Sequence, residues 1–215
     1  MSNPESFIDE VTEEVRRDRL YAAFRKYGWI GALAILGIVG GAAWSEWTKA
    51  QARAEAQAFG DAVLAAAQAE DPEAALAALP AKGGAQAALA ALMAGAQAAQ
   101  AGDTDAALVH YRRAGASADL PASLRDLARL KAVIIAGDKM PAAERDAELA
   151  ALAQPGAPYR LMAVEQQALA QLAAGERDAA IATARAILAD AEVTPGLQQR
   201  ASELIVALGG DPAQQ

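Results

Sequence analysis

From Gly28 to Ser45 the chain reads GWIGALAILGIVGGAAWS, eighteen residues without a charge. About 20 residues, rising 1.5 Å each, cross the hydrocarbon layer of a bilayer, and continuing to Trp47 supplies that length. Trp29 stands at one end and Trp44 and Trp47 at the other, where amphipathic indoles favour the headgroup zone. Two other structures share this pattern: a buried helix of a soluble core, and a cleavable signal peptide ending near Gly41-Ala42-Ala43. The preceding arm of 27 residues contains six acidic ones, which signal peptides rarely do. The run is therefore read as an uncleaved transmembrane helix over 28–47.

Orientation follows from the flanks. Arg16, Arg17, Arg19, Arg25 and Lys26 precede the span, whereas only Lys49 and Arg53 follow within the next twenty or so residues. The positive-inside bias predicts a cytoplasmic N-terminus and a C-terminal domain on the far side, which in a bacterium is the periplasm. The arm, residues 1–27, has its own helical pattern. Ser6 is a candidate N-cap, and Phe7, Ile8, Val11 and Val15 fall on one face, continued by Leu20, Tyr21 and Phe24. Such a helix suits either an anionic lipid surface or a docking partner. Within the span, Gly37 and Gly41 lie four apart with Gly40 beside them, a strip against which a second helix can pack closely. A chance pairing in an Ala/Gly-rich helix has the same appearance.

After the span the chain is rich in alanine and poor in aromatics, which make up 5% of the whole. Alanine favours helix but contributes little volume, so a thick core is out of reach and closely approaching helices are required. No strand-like alternation or Asn-Gly hairpin signal is present, and the fold class is all-α. Glycine followed by an acid recurs at Gly102-Asp103, Gly137-Asp138 and Gly175-Glu176, with a further Gly209. The spacings of 35, 38 and 34 residues match the period of a helix–turn–helix solenoid. Glu70-Asp71-Pro72-Glu73-Ala74-Ala75-Leu76 parallels Gly102-Asp103-Thr104-Asp105-Ala106-Ala107-Leu108 one unit upstream. Glycine takes the left-handed turn that ends one helix, and the carboxylate caps the next.

These signals predict helices over 50–69, 72–79, 84–101, 104–116, 121–136, 141–153, 159–174, 177–190 and 195–208. That is four hairpins and a closing helix in a repeat domain over 48–208, with a tail over 209–215. The first helix is expected to leave the membrane without a flexible linker. Gly95, Gly102-Asp103, Ala107, Tyr111 and Ala114 carry the tetratricopeptide pattern well. Ala168, Gly175 and Ala180 carry it less fully, with Ala184 where an aromatic is usual. The middle unit fits worst, because Asp126 and Arg129 fall on positions expected to be buried. The concave side of such a stack would hold Leu89, Leu92 and Ala96 from one unit and Met162, Glu165 and Leu169 from another. These residues serve either a partner's helix or the packing of hairpin on hairpin.

Reactive constellations are lacking. The sequence has no cysteine and one histidine, His110, whereas zinc needs three or four convergent ligands. The serines have no nucleophile-elbow context. The glycine pairs Gly40-Gly41, Gly83-Gly84 and Gly209-Gly210 make no phosphate loop. Residues 46–215 hold fourteen Lys/Arg against twenty-one Asp/Glu, a balance that argues against a nucleic-acid surface and favours solubility. No catalytic residue, cofactor, metal or small-molecule substrate is expected.

The arm Phe7-Ile8-Asp9-Glu10-Val11-Thr12-Glu13-Glu14-Val15-Arg16-Arg17-Asp18-Arg19-Leu20, the Tyr27-Gly28 approach to the span and the Ala43-Trp44 to Trp47 exit resemble alphaproteobacterial membrane-anchored tetratricopeptide proteins. These are related to the ancillary subunit family of the Sec translocon. The specific part of the resemblance covers roughly residues 7–47. It implies an inner-membrane protein that presents its repeats to the periplasm and associates with the translocon and a membrane-anchored periplasmic chaperone, without catalytic residues. The expected function is a non-enzymatic adaptor for exported proteins. An accessory or assembly subunit of another inner-membrane complex, such as a respiratory one, fits the same anchor and repeats. An envelope enzyme is the third class, and it lacks candidate residues.

Overall fold

The computed structural model describes the backbone of residues 4–212, and the side chains of residue 21 and of residues 25–212 apart from 32. Among the described residues the chain is all-helical, without strands. It divides into two units, residues 1–58 and 59–215.

The first helix, α1 (Pro4–Ala67), takes up the arm, the apolar run and the segment after it as one α-helix. Three adjoining helices were expected here, and the join beyond Trp47 was expected to be helical. Pro4 and Glu5 are already helical, so Ser6 lies within the helix and is not its N-cap.

In the second unit the helices are α2 (Pro72–Ala77), α3 (Gly84–Gln100), α4 (Thr104–Gly115), α5 (Ala122–Ala136), α6 (Ala142–Leu152), α7 (Arg160–Ala173), α8 (Arg177–Leu188) and α9 (Pro195–Ala207). Each expected helix from 72 onward is present, within two residues at either end. Gly102, Gly137, Gly175 and Gly209 all adopt positive φ, between 51° and 80°. The glycine spacing therefore marked real left-handed turns. A fifth, Gly156 at φ 80°, lies in the α6–α7 connection and belongs to no repeat.

The acid after each glycine behaves less uniformly. Asp103 accepts a hydrogen bond from the Ala106 N–H at 2.9 Å, and upstream Asp71 accepts one from Ala74 at 3.0 Å. Glu176 makes no such cap, and Asp138 sits in a single 3-10 turn, Gly137–Lys139, that delays α6 until after Pro141. The capping expectation is corrected at those two positions. Glutamate's extra methylene fits a cap poorly, and Asp138 lies three residues before the N-cap position, Pro141.

Helices pack on their neighbours in sequence, and the interior is a row of small clusters. Val63 and Ala66 of α1 meet Leu76 of α2 and Ala94 of α3. Residues of α3, α4 and α5 form the next cluster, including Leu92, Tyr111 and Ala128. Leu130 and Val133 of α5 then join Leu149 and Leu152 of α6 and Ala163 of α7. Ile187 of α8 packs with Leu197 and Ala201 of α9. Gly95 explains how α3 and α4 come so close: a Cβ built there would lie 2.8 Å from a Tyr111 ring carbon. Asp126 and Arg129 stay out of the core. Both are half-buried, and the Arg129 Nε donates to Glu148 Oε2 of α6 at 2.8 Å while its Nη1 lies 3.6 Å from Asp126 Oδ1. Ala128, Leu130, Ala132 and Val133 fill the interior instead.

Candidate functional site

The apolar run of α1 is the first candidate surface. It is the one segment among the described residues long and apolar enough to cross a membrane, and its apolar window is wholly exposed. A helix apolar on every side and buried against nothing in its own chain needs lipid or another helix around it. Trp44 and Trp47 lie 5.3 Å apart between ring centroids. At the other end the Trp29 indole N–H donates to the Lys26 carbonyl at 3.1 Å, and the Lys26 ammonium lies 5.5 Å from the Tyr27 ring centroid. Of the five basic residues on which the expected orientation rests, Arg25 and Lys26 are exposed. The side chains of Arg16, Arg17 and Arg19, and of the arm's apolar face apart from exposed Tyr21, lie outside the described residues. A Cβ added at Gly37, Gly40 or Gly41 would meet nothing within 4 Å, so that strip is open in this chain.

In the second unit the expected concave strip divides in two. Leu92 is buried at 8% exposure and Leu89 is packed against the same cluster, so both leucines of α3 serve the interior. Helix α3 is covered nearly all round, which an alanine-rich pattern does not reveal. Of the two readings open for Leu92, the core one applies. Ala96 is half-buried. On α7, Met162 and Leu169 are exposed at 42% and 41%. Glu165 is already engaged: the Arg200 guanidinium of α9 grips it through Nε at 2.6 Å and Nη2 at 2.9 Å. That bidentate contact holds Arg200 more firmly protonated than usual.

A second clasp joins the start of α7 to the loop after α8. Arg160 Nη1 and Nη2 donate to both carboxylate oxygens of Asp190 at 2.7 and 2.9 Å, and Nη2 also reaches Glu192 at 2.6 Å. The Arg160 hydrogen bond, helped by the Glu192 backbone N–H, pulls the Asp190 carboxyl down to about 2. The histidine is similarly structural. His110 Nε2 lies 3.0 Å from Glu73 Oε1 and links α4 to α2. Burial raises the Tyr111 hydroxyl above its usual range. Among the described residues no group of three or more His, Cys, Asp or Glu converges as a metal site would require.

A cleft that no motif or periodicity marks lies where the α5–α6 pair meets α7. One hollow of about 370 Å³ is lined by Arg145, Asp146, Gln167, Ala170, Gln171, Ala174 and Glu176. A second, of about 130 Å³, is lined in part by Val133, Ile134, Asp138, Arg145, Leu169 and Ala170. Arg145 and Ala170 line both, so the hollows adjoin. Ile134 and Leu169 are exposed at 49% and 41%. The available signal was the connection over residues 153–159, with Pro155, Gly156 and Pro158, the longest break between two successive helices after α3.

A scan against protein-family models finds no match. Searches of curated proteins and of solved structures find none either.

Proposed function

We propose that this chain is a non-enzymatic adaptor anchored in the bacterial inner membrane by residues 28–47. Its N-terminus faces the cytoplasm, and a tetratricopeptide-like stack of four hairpins and a closing helix faces the periplasm. The stack binds proteins. The observation that carries this reading is the pairing of a wholly exposed apolar helical window with a unit of consecutive helices turned at four periodic left-handed glycines. Both parts offer surface to other macromolecules. The five basic residues before the span, against two soon after it, support the orientation. The likeness of residues 7–47 to relatives of the translocon's ancillary subunit supports the Sec translocon and a periplasmic chaperone as partners.

Two experiments test it. A reporter active only in the periplasm is expected to work when fused after Gln215 and to fail when placed before Phe7; the reverse result removes the periplasmic domain. Purification of the tagged chain in mild detergent, followed by mass spectrometry, is expected to recover translocon subunits. Recovery of a respiratory assembly instead reassigns the adaptor to that complex, and recovery of no complex removes the adaptor reading.

A further inference from the structure

We propose that the cleft between the α5–α6 pair and α7 is where the second unit takes its partner, and that the partner contributes a basic segment anchored by apolar side chains. The inference rests on the adaptor reading and specifies its site. Ile134 and Leu169 give the cleft apolar contact surface left open to solvent, in a unit whose other large side chains mostly serve the small clusters. Asp138, Asp146 and Glu176 surround it. One cation lines it, Arg145, and its Nε already donates to Asp146 at 3.0 Å. Three carboxylates against one guanidinium leave the rim negative, so the field favours an approaching cation and disfavours an anion.

The form of the trough favours a polypeptide. Two adjoining hollows run along α7, with Gln167 and Gln171 beside the larger one. Glutamine amides offer both a donor and an acceptor, the pair that a peptide group requires. Gln171 keeps donor capacity in its amide nitrogen, because its Oε1 is the atom that accepts from the Thr183 hydroxyl at 2.8 Å. An extended segment with leucine-like side chains between lysines or arginines would rest its apolar groups on Ile134 and Leu169. Its cations would then lie along the acidic rim.

The test uses the full chain in nanodiscs of zwitterionic lipid, with empty nanodiscs as background. The probes are a labelled peptide of alternating leucine and lysine and its glutamate-for-lysine counterpart, followed by fluorescence anisotropy. The basic peptide is expected to bind with added salt weakening it, and the acidic one to bind about tenfold or more weakly. Asp146→Lys with Glu176→Lys changes only exposed positions and is expected to weaken the basic peptide by about tenfold or more while leaving the thermal melt in place. Leu169→Glu is expected to weaken the basic peptide through the apolar contact. Equal binding of the two peptides, binding of neither, or undiminished binding by the charge-reversed chain overturns the site. Such a failure leaves the adaptor reading intact if the unaltered chain still co-purifies with a membrane complex; loss of that complex is the separate failure of the adaptor itself.

Discussion

Gly95→Ala sets two effects of comparable size against each other, and the geometry decides between them. In a helix interior, replacing glycine by alanine favours the helix by about 1 kcal/mol, because glycine loses more backbone freedom on ordering. At Gly95 the added methyl would lie 2.8 and 2.9 Å from two ring carbons of Tyr111 and 3.1 Å from the His110 Cβ. Carbon atoms prefer about 3.5–4.0 Å, so α3 and α4 must separate or the ring must shift within a packed cluster. Overpacking of this kind costs about 1–3 kcal/mol. Gly60 supplies the control, since it is exposed in α1 and a Cβ there meets nothing within 4 Å. Gly60→Ala keeps the propensity gain without the clash, so the difference between the two variants isolates the steric cost at about 1–3 kcal/mol. At roughly 2–4 °C per kcal/mol for a chain of this length, Gly95→Ala should melt at least about 2 °C below Gly60→Ala by circular dichroism of the full chain in mild detergent. Tyr111→Leu in the Gly95→Ala background should recover part of the loss, a coupling that a double-mutant cycle reads directly. Equal melting of the two alanine variants would show that the approach of α3 to α4 is not limited by Gly95.

Three further outcomes are expected. Leu92→Ala should destabilise the chain by about 2–5 kcal/mol, because a buried leucine leaves a cavity, whereas Leu169→Ala at an exposed position should stay within about 0.5 kcal/mol; urea unfolding of both variants checks this. Asp103→Ala removes the carboxylate that caps α4 and should cost about 0.5–2 kcal/mol in the same assay. For Asp190, whose carboxyl is pulled from 3.8 to about 2, the folded state holds the carboxylate while the unfolded chain protonates first as pH falls. The stability it contributes is therefore complete above about pH 4 and is lost as pH falls toward about 2. The gap between the unaltered chain and Asp190→Asn should narrow over that window, and a constant gap would show that the Arg160 clasp does not set this titration.

Much of the framework was legible because it rests on local chemistry. The left-handed turns at Gly102, Gly137, Gly175 and Gly209 follow from what only glycine adopts easily. The helices between them follow from alanine's propensity and from proline at their starts. The close packing of Gly95 on Tyr111 was readable from a spacing of small and large residues. What escaped depends on distant partners. Whether Leu92 faces an interior or a groove is undetermined on α3, where Ala88, Ala90, Ala91, Ala94 and Ala98 put apolar residues on every side. Glu165 looked available until Arg200, 35 residues away, came to hold it. The cleft beside α7 arises from how two helix pairs meet, and no periodicity in either pair encodes that.

The ion pairs between helices complete the account of why this stack has a defined register at all. Helix surfaces lock through ridges and grooves of side chains, and alanine surfaces offer shallow ones. Two alanine faces can slide by a turn with little change in buried area. Contacts such as Arg129 to Glu148, Arg112 to Glu144, Arg160 to Asp190 and Arg200 to Glu165 do not tolerate that displacement. A slip of one turn, about 5.4 Å, exceeds the reach of any of these hydrogen bonds. Pairs with this much exposure contribute about 0–1 kcal/mol each to stability, so their main effect is on selection among nearly equal packings. The pairs hold α4, α5 and α6 in register on one side of the cleft and α7 and α9 on the other, while across it the packing of Ala163 of α7 with Val133, Leu149 and Leu152 joins the two sides.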